Sequence, residues 1–369
     1  MILKTPLIKF YIALLERFNM SERKIPFFDY PALFARQQKE LMPIIEEVLS
    51  RGAYIMQKDL FDFEDHLAQY LGVKHVIGVG DGTMAIILAL RSANIGDGDE
   101  VLVPSHTFVA SAAAVHHVGA KPVLVDCGSD HLISSNDLVH RITSRTKAIM
   151  PVQLNGRTAN MEGIERIAIE YNLKIIEASC QALGSKFKGR FAGTFGVAGT
   201  CSFYPSKTLG CFGDGGAVFT NDDEVAESVR LLRDHGRASN GDIVAWGYNS
   251  RLDNIQAAVL DFKLARYDSE IERRREIASR YNEKLQGIHG LVLPPAPDAD
   301  VNHFDIYQNY ELKSNKRDAL RAHLASTGVQ TILQWGGKGI HQFQKLKLNI
   351  DLPKTQEITK TNNKLNIVS

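Results

Sequence analysis

The sequence is poor in the residues that mark several large classes of protein. Only four of its 369 residues are cysteine, at 127, 180, 201 and 211, and no two form a C-x-x-C pair. Nor do its histidines stand at metal-ligand spacing along the chain. This argues against a disulfide framework, and it reads as four reduced thiols in a cytoplasmic protein with no metal. Charge of one sign is lacking too: 43 basic and 42 acidic side chains leave a net charge of +1. Neither nucleic acid nor an anionic membrane is therefore an expected partner. Residues 1–20, MILKTPLIKFYIALLERFNM, are apolar and basic, but Lys9, Glu16 and Arg17 break the run short of a membrane span. No small-residue cleavage site marks a signal peptide. Residues 1–20 are set apart as an N-terminal extension, with Met20 a candidate start. Internal repeats, low-complexity tracts and the G-x-x-x-x-G-K-[ST] phosphate loop are also missing.

What is present is a regular rhythm. Hydrophobic residues make up 44% of the chain, enough for one large core and a smaller one. From residue 75, short β-branched runs (76–79, 101–103, 121–125, 148–152 and 173–176) alternate with helix-period stretches (83–92, 108–118, 137–142 and 161–171). That pattern predicts a mainly parallel sheet with helices on both faces. Two short strands follow, at 200–204 and 217–220, separated by a glycine-rich turn. A helix at 224–234 comes next, and then one long charged helix from 254 to about 286. The division expected is a large domain over 21–265 and a small C-terminal domain over 266–369. The polar end, KTQEITKTNNKLNIVS, has few anchors and is expected to be poorly ordered.

Four segments carry possible chemistry, each with a plainer reading beside it. The turn G-V-G-D-G-T, residues 78–83, joins a strand to a helix. Its glycines allow close backbone approach, and the helix start offers N–H groups to a phosphate. A ligand-free βα turn looks the same. In S-F-Y-P-S-K-T-L-G, residues 202–210, Lys207 stands among small and apolar neighbours. If desolvated, such an amine becomes a nucleophile for an aldehyde; otherwise it is a loop lysine in water. Phe108, in P-S-H-T-F-V-A-S, lies at a strand's C-terminal end, where open α/β sheets collect ligands. It is either a ring-stacking aromatic or a core residue. Asn249 and Arg251 precede an apolar helix in G-Y-N-S-R-L-D-N-I-Q-A-A, as ligand contacts or as a loop and helix cap.

In order and spacing these blocks resemble the DegT/DnrJ/EryC1/StrS family of sugar aminotransferases, over about residues 25–286. The resemblance implies the aspartate-aminotransferase type of fold (PLP fold type I), with a mainly parallel seven-stranded sheet and a smaller C-terminal α+β domain. It implies pyridoxal 5'-phosphate (PLP) as cofactor, a nucleotide-linked keto sugar as acceptor and glutamate as amino donor. A homodimer with shared active sites is also implied. Lys207 matches the family's cofactor-carrying lysine. Gly82, Thr83 and Ser202 match phosphate contacts, and Asn249 matches one reaching in from the partner subunit. Phe108 matches the stacking aromatic, and Gln181 the neighbour of the cofactor's phenolic oxygen. Related sugar dehydratases carry histidine at the lysine position, so Lys207 points away from them.

Two departures stand out. Where the family reads E-D-A-A-Q, this chain reads E-A-S-C-Q over 177–181. The aspartate that faces the pyridine nitrogen is thus replaced by Ala178. Glu177 points to the opposite face of a strand, and a neutral Cys180 thiol makes a poor counter-ion. The cofactor linkage to Lys207 is expected to survive and transamination to be slow. The alternative is a catalytically impaired relative that binds PLP or a nucleotide sugar. The chain also ends in a polar tail where the family continues helically, so the small domain is expected to be short. Finally, Q-W-G-G-K-G-I-H-Q-F, residues 334–343, is a substrate-facing loop in which Trp335, Lys338 and His341 could meet a base, a sugar or a diphosphate. A packed tryptophan with solvated neighbours is the plainer reading.

Overall fold

Seven strands of the β-then-α region join in one sheet. They are β1 (His75–Val79), β2 (Glu100–Pro104), β3 (Lys121–Val125), β4 (Thr146–Ile149), β5 (Lys174–Ala178), β8 (Ala198–Ser202) and β9 (Gly216–Thr220). The short β6 (Lys186–Phe187) and β7 (Arg190–Phe191) form a hairpin between β5 and β8. The computed structural model describes residues 24–365 except Asn349, so the expected extension over 1–20 lies outside the described residues. Strand order is β1-β9-β8-β5-β4-β2-β3. Only β9 runs against its neighbours. β2 is buried at all five positions, as expected of a strand covered on both faces.

Among the described residues, eight α-helices precede residue 265: α1 (Tyr30–Ser50), α2 (Lys58–Leu71), α3 (Gly82–Ser92), α4 (Val109–His117), α5 (Ser135–Arg141), α6 (Met161–Glu170), α7 (Asp223–Arg233) and α8 (Asn254–Leu264). Their starts follow from polar caps in the sequence. Asp81, Ser134, Asn160 and Asp222 each accept a backbone N–H from the first turn of the helix that follows. Among the described residues no helix is long and apolar enough to cross a membrane.

A buried ion pair fixes β1, the strand that leads into the 78–83 turn. Glu64 on α2 accepts from Gly78 N at 2.7 Å and pairs with Arg233 of α7, which also donates to Gly78 O at 2.9 Å. Glu64→Ala leaves Arg233 buried without its carboxylate. The expected loss is about 3–5 kcal/mol in chemical denaturation; a loss below about 1 kcal/mol would contradict this assignment.

Glu100, at the start of β2, supplies an acid-sensitive contact. Burial pushes its carboxyl up, but hydrogen bonds from Thr143 Oγ1, Arg145 and Lys121 outweigh this and hold it at about 2. A carboxyl lowered on folding stabilises the fold above its unfolded pKa and loses that contribution as pH falls through its folded value. Glu100→Gln is therefore expected to weaken the fold at pH 7 by about 1–3 kcal/mol. The deficit should shrink between about pH 4.5 and pH 2. Denaturation midpoints measured across that range check it.

Two expectations fail here. The charged stretch from 254 to about 286 is two helices, α8 and α9 (Tyr267–Leu285), which break at residues 265 and 266. Arg266 donates to Phe262 O at 3.1 Å and lays its guanidinium over the Phe262 ring. Tyr267 turns inward, 1% exposed, with its hydroxyl 2.8 Å from Leu183 O. Burying this ring and satisfying its hydroxyl outweighs helix continuity. The polar stretch from residue 353 also carries a helix and a strand, where the sequence suggests a tail with few anchors. A second sheet, β10-β12-β13, joins β10 (Leu291–Val292), β12 (Tyr310–Ser314) and β13 (Asn362–Leu365), beside α10 (Arg317–Ser326) and α11 (Pro353–Thr361). β11 (His303–Phe304) instead pairs with β6. Helix α11 starts at Pro353, and β13 adds to β12 with Thr355 and Asn363 buried. Thr355 is anchored by Asp126, which accepts both its N–H and its hydroxyl at 2.7 Å. Buried polar partners anchor what apolar counting overlooks.

Candidate active site

A cavity of about 840 Å³ opens at the C-terminal ends of β1, β2, β5 and β8, the position where doubly wound sheets take ligands. Gly82, Thr83, Phe108, Gln181, Ser202 and Lys207 all line it. Asn249 does not. It is exposed, pairs with Asp234 in an isolated bridge and accepts from Arg251 at 2.8 Å.

One end of the cavity is built for an anion. Asp81 caps α3 by accepting from Met84 N at 2.9 Å, so the first turn of that helix faces the space at Gly82 and Thr83. Gly82 lies so close to β8 that an added Cβ would sit 2.6 Å from Ser202 Cβ. Glycine thus lets the helix start and the Ser202 hydroxyl converge on one point. Lys207 follows β8 on a tight turn, with its N–H 2.8 Å from Tyr204 O. Its side chain is half-buried rather than fully desolvated.

The walls complete the site. Phe108 is the N-cap of α4; it is 56% exposed and lines this space. Gln181 accepts from Asn155 N at 3.1 Å through Oε1, so its amide NH₂ is the donor it offers the cavity. At the sheet-side end are Ala178, Val152 and Cys180. Glu177 is fully buried elsewhere. It accepts from Gln153, Gly193, Phe195 and Gly196, and no part of it lines the cavity. Burial pushes the Cys180 thiol up, although the Lys207 charge opposes this, so it is a neutral thiol at pH 7.

The sequence profile of the DegT/DnrJ/EryC1/StrS aminotransferase family matches residues 35–369. The chain belongs to this family. It is 42% identical to the dTDP-3-amino-3,6-dideoxy-alpha-D-galactopyranose transaminase of Aneurinibacillus thermoaerophilus, over 84% of this chain and 85% of the relative. It is 41% identical to the dTDP-3-amino-3,4,6-trideoxy-alpha-D-glucose transaminase of Streptomyces venezuelae, over 85% and 82%. The crystal structure of S. venezuelae DesV in complex with a ketimine intermediate superposes with a TM-score of 0.89 at 37% identity, covering 94% of this chain and 93% of that one.

This aminotransferase is therefore a PLP-dependent enzyme, and its cavity fits the cofactor. A primary amine, a helix start beside a serine hydroxyl, and an exposed aromatic ring share one space. At residue 178, on the sheet-side end, the cavity presents the methyl of Ala178 and no carboxylate, and Asp81, which also lines it, is engaged in capping α3.

The loop over 334–343 divides. Trp335 lines the cavity, whereas Lys338 is exposed near the Phe343 ring and His341 packs Nδ1 at 2.7 Å from Ser105 Oγ. His341 is thus held against the end of β2, and neither it nor Lys338 lines the cavity. Sequence reading missed Gln308. Its Nε2 donates to Ser206 O at 2.6 Å and its Oε1 accepts from Thr208 N at 3.0 Å, bracing the Lys207 turn from both sides. No local motif marks that glutamine; only the fold brings it across about a hundred residues of chain.

Proposed function

We propose that Lys207 carries PLP and that the enzyme moves an amino group from glutamate to a nucleotide-linked keto sugar, in cytoplasmic amino-sugar or surface-polysaccharide biosynthesis. The carrying observation is the placement of Lys207 in one cavity with Gly82, Thr83 and Ser202. The dTDP-sugar transaminases among its relatives support the acceptor class.

Bound PLP supplies an electron sink that weakens the Cα–H bond of the amino substrate. The chain supplies the rest. The N–H groups of Gly82 and Thr83 and the Ser202 hydroxyl hold the phosphate, with Asn249 of the partner subunit completing the ring. Phe108 fixes the tilt of the aromatic plane, and the Gln181 amide donates to the phenolic oxygen. Lys207 Nζ would hold the cofactor and would then serve as the base that takes up and redelivers the proton released at the substrate Cα. In the second half-reaction the same nitrogen works in the opposite direction on the keto sugar. A homodimer is supported by Ile243, Val244 and Trp246, exposed by 62%, 60% and 98% on the segment leading to Asn249.

Ala178 favours a second reading, a relative that binds PLP or a nucleotide sugar and turns over poorly. The two separate spectroscopically. Glutamate added to the PLP-loaded protein is expected to bleach its visible absorbance and release one equivalent of 2-oxoglutarate per subunit. A spectrum that glutamate leaves unchanged would favour the binding protein.

A further inference from the structure

His106 follows β2, His131 sits in the loop between β3 and α5, and Glu311 is on β12. No spacing in the sequence links them, yet one ligand atom from each lies within 4.8 Å of the others, and all three residues are buried. None of the three lines the cavity that holds Lys207. We propose that these three side chains form a site for a divalent transition metal of the zinc class, with water as a fourth ligand.

The arrangement has the layers of a built metal site. Glu311 is oriented by Asn362 Nδ2, which donates to Oε1 at 3.0 Å, and by Asn155 Nδ2, which donates to Oε2. His131 Nδ1 lies 3.0 Å from Glu311 Oε2. Amides that hold a carboxylate are the outer support ligand sets use. Asn362 itself is 7% exposed, and its Oδ1 is buried with no hydrogen-bond partner among the described residues. That oxygen belongs to the amide whose Nδ2 meets Glu311, and burying it unpaired carries a cost. His131 is held at a φ of 70°, a left-handed conformation that non-glycine residues seldom adopt. A hydrogen bond from its N–H to Gly128 O at 3.1 Å helps to fix the loop in that shape.

The donor set selects the ion. Two imidazoles with a carboxylate suit Zn²⁺ and its neighbours, and disfavour Mg²⁺ or Ca²⁺, which prefer all-oxygen shells. A dication also compensates a buried carboxylate more completely than neutral amides do. With bonds of about 2.0–2.2 Å, tetrahedral ligands sit about 3.5 Å apart, a spacing that small side-chain shifts reach from atoms already within 4.8 Å of one another. The metal would join the end of β2 and the β3–α5 loop to β12 and β13 of the second sheet. His106 packs edge-on against Trp335 at 5.1 Å between ring centroids, so the same ion steadies a wall of the cofactor cavity.

The test uses the PLP-loaded full chain, stripped with a chelator and titrated with Co²⁺. The expected result is one Co²⁺ per chain with the intense visible bands of four-coordinate cobalt, displaced stoichiometrically by Zn²⁺, and a higher thermal midpoint. His131→Ala and Glu311→Gln should each weaken uptake by at least about 10-fold. Failure of the wild-type protein to take up one equivalent overturns the proposal, whether or not the variants fold. So does equal uptake by wild type and both variants, which would mean adsorption to other histidines.

Discussion

Lys207→Ala is expected to bind PLP without the visible absorbance of a lysine-bound cofactor, and to lose transamination by at least about 10²–10⁴-fold from the missing proton transfer alone. The side chain is half-buried at the cavity wall and its turn is held by backbone contacts and by Gln308. Truncating it therefore removes an amine and little packing, and the thermal midpoint should stay within a few degrees of wild type. Unchanged folding with collapsed activity separates a chemical role from a structural one. Activity within about 10-fold of wild type would remove Lys207 from the mechanism.

Ala178→Asp is expected to act in the opposite direction and raise the rate by about 10²–10³-fold, the range associated with one well-placed electrostatic partner in an active site. Residue 178 ends β5, lines the cavity beside Val152 and Cys180, and is 2% exposed. Its backbone is already fixed by the hydrogen bonds Ala178 N to Pro151 O at 3.0 Å and Gln153 N to Ala178 O at 3.0 Å. A carboxylate introduced there meets the ring nitrogen without disturbing Glu177, whose partners lie on the other face. The ¹⁵N shift of ring-labelled PLP should report a neutral pyridine in the wild type and a protonated one in the variant, independently of turnover. If the shift changes and the rate does not, the pyridine charge is not what limits this enzyme.

Much of the fold was legible because its signals are local. The alternation from residue 75 to 178 predicted five parallel strands, and D-G-T and Y-P-S-K marked turns that the fold brings together at one cavity. The misses share one cause, which is that partners distant in sequence decide the outcome. Helical periodicity runs unbroken through residues 265 and 266, and only the buried slot for Tyr267, formed with Leu183 and Thr208, explains the break. The C-terminal residues look solvated until Asp126 and β12 supply partners for Thr355 and residues 362–365. His106, His131 and Glu311 escaped for the same reason, because metal-ligand spacing along the chain cannot reveal a cluster gathered from three separate elements. Asn249, which the motif sets among the cofactor contacts, lies on the surface and does not line the cavity.

The most direct test of the account is to trap the cofactor on the protein. PLP-loaded enzyme is reduced with borohydride, digested and mapped by mass spectrometry. The account predicts one pyridoxyl phosphate adduct per chain, carried by Lys207. An adduct on another lysine, such as the partly buried Lys263 nearby, or none at all, would contradict it.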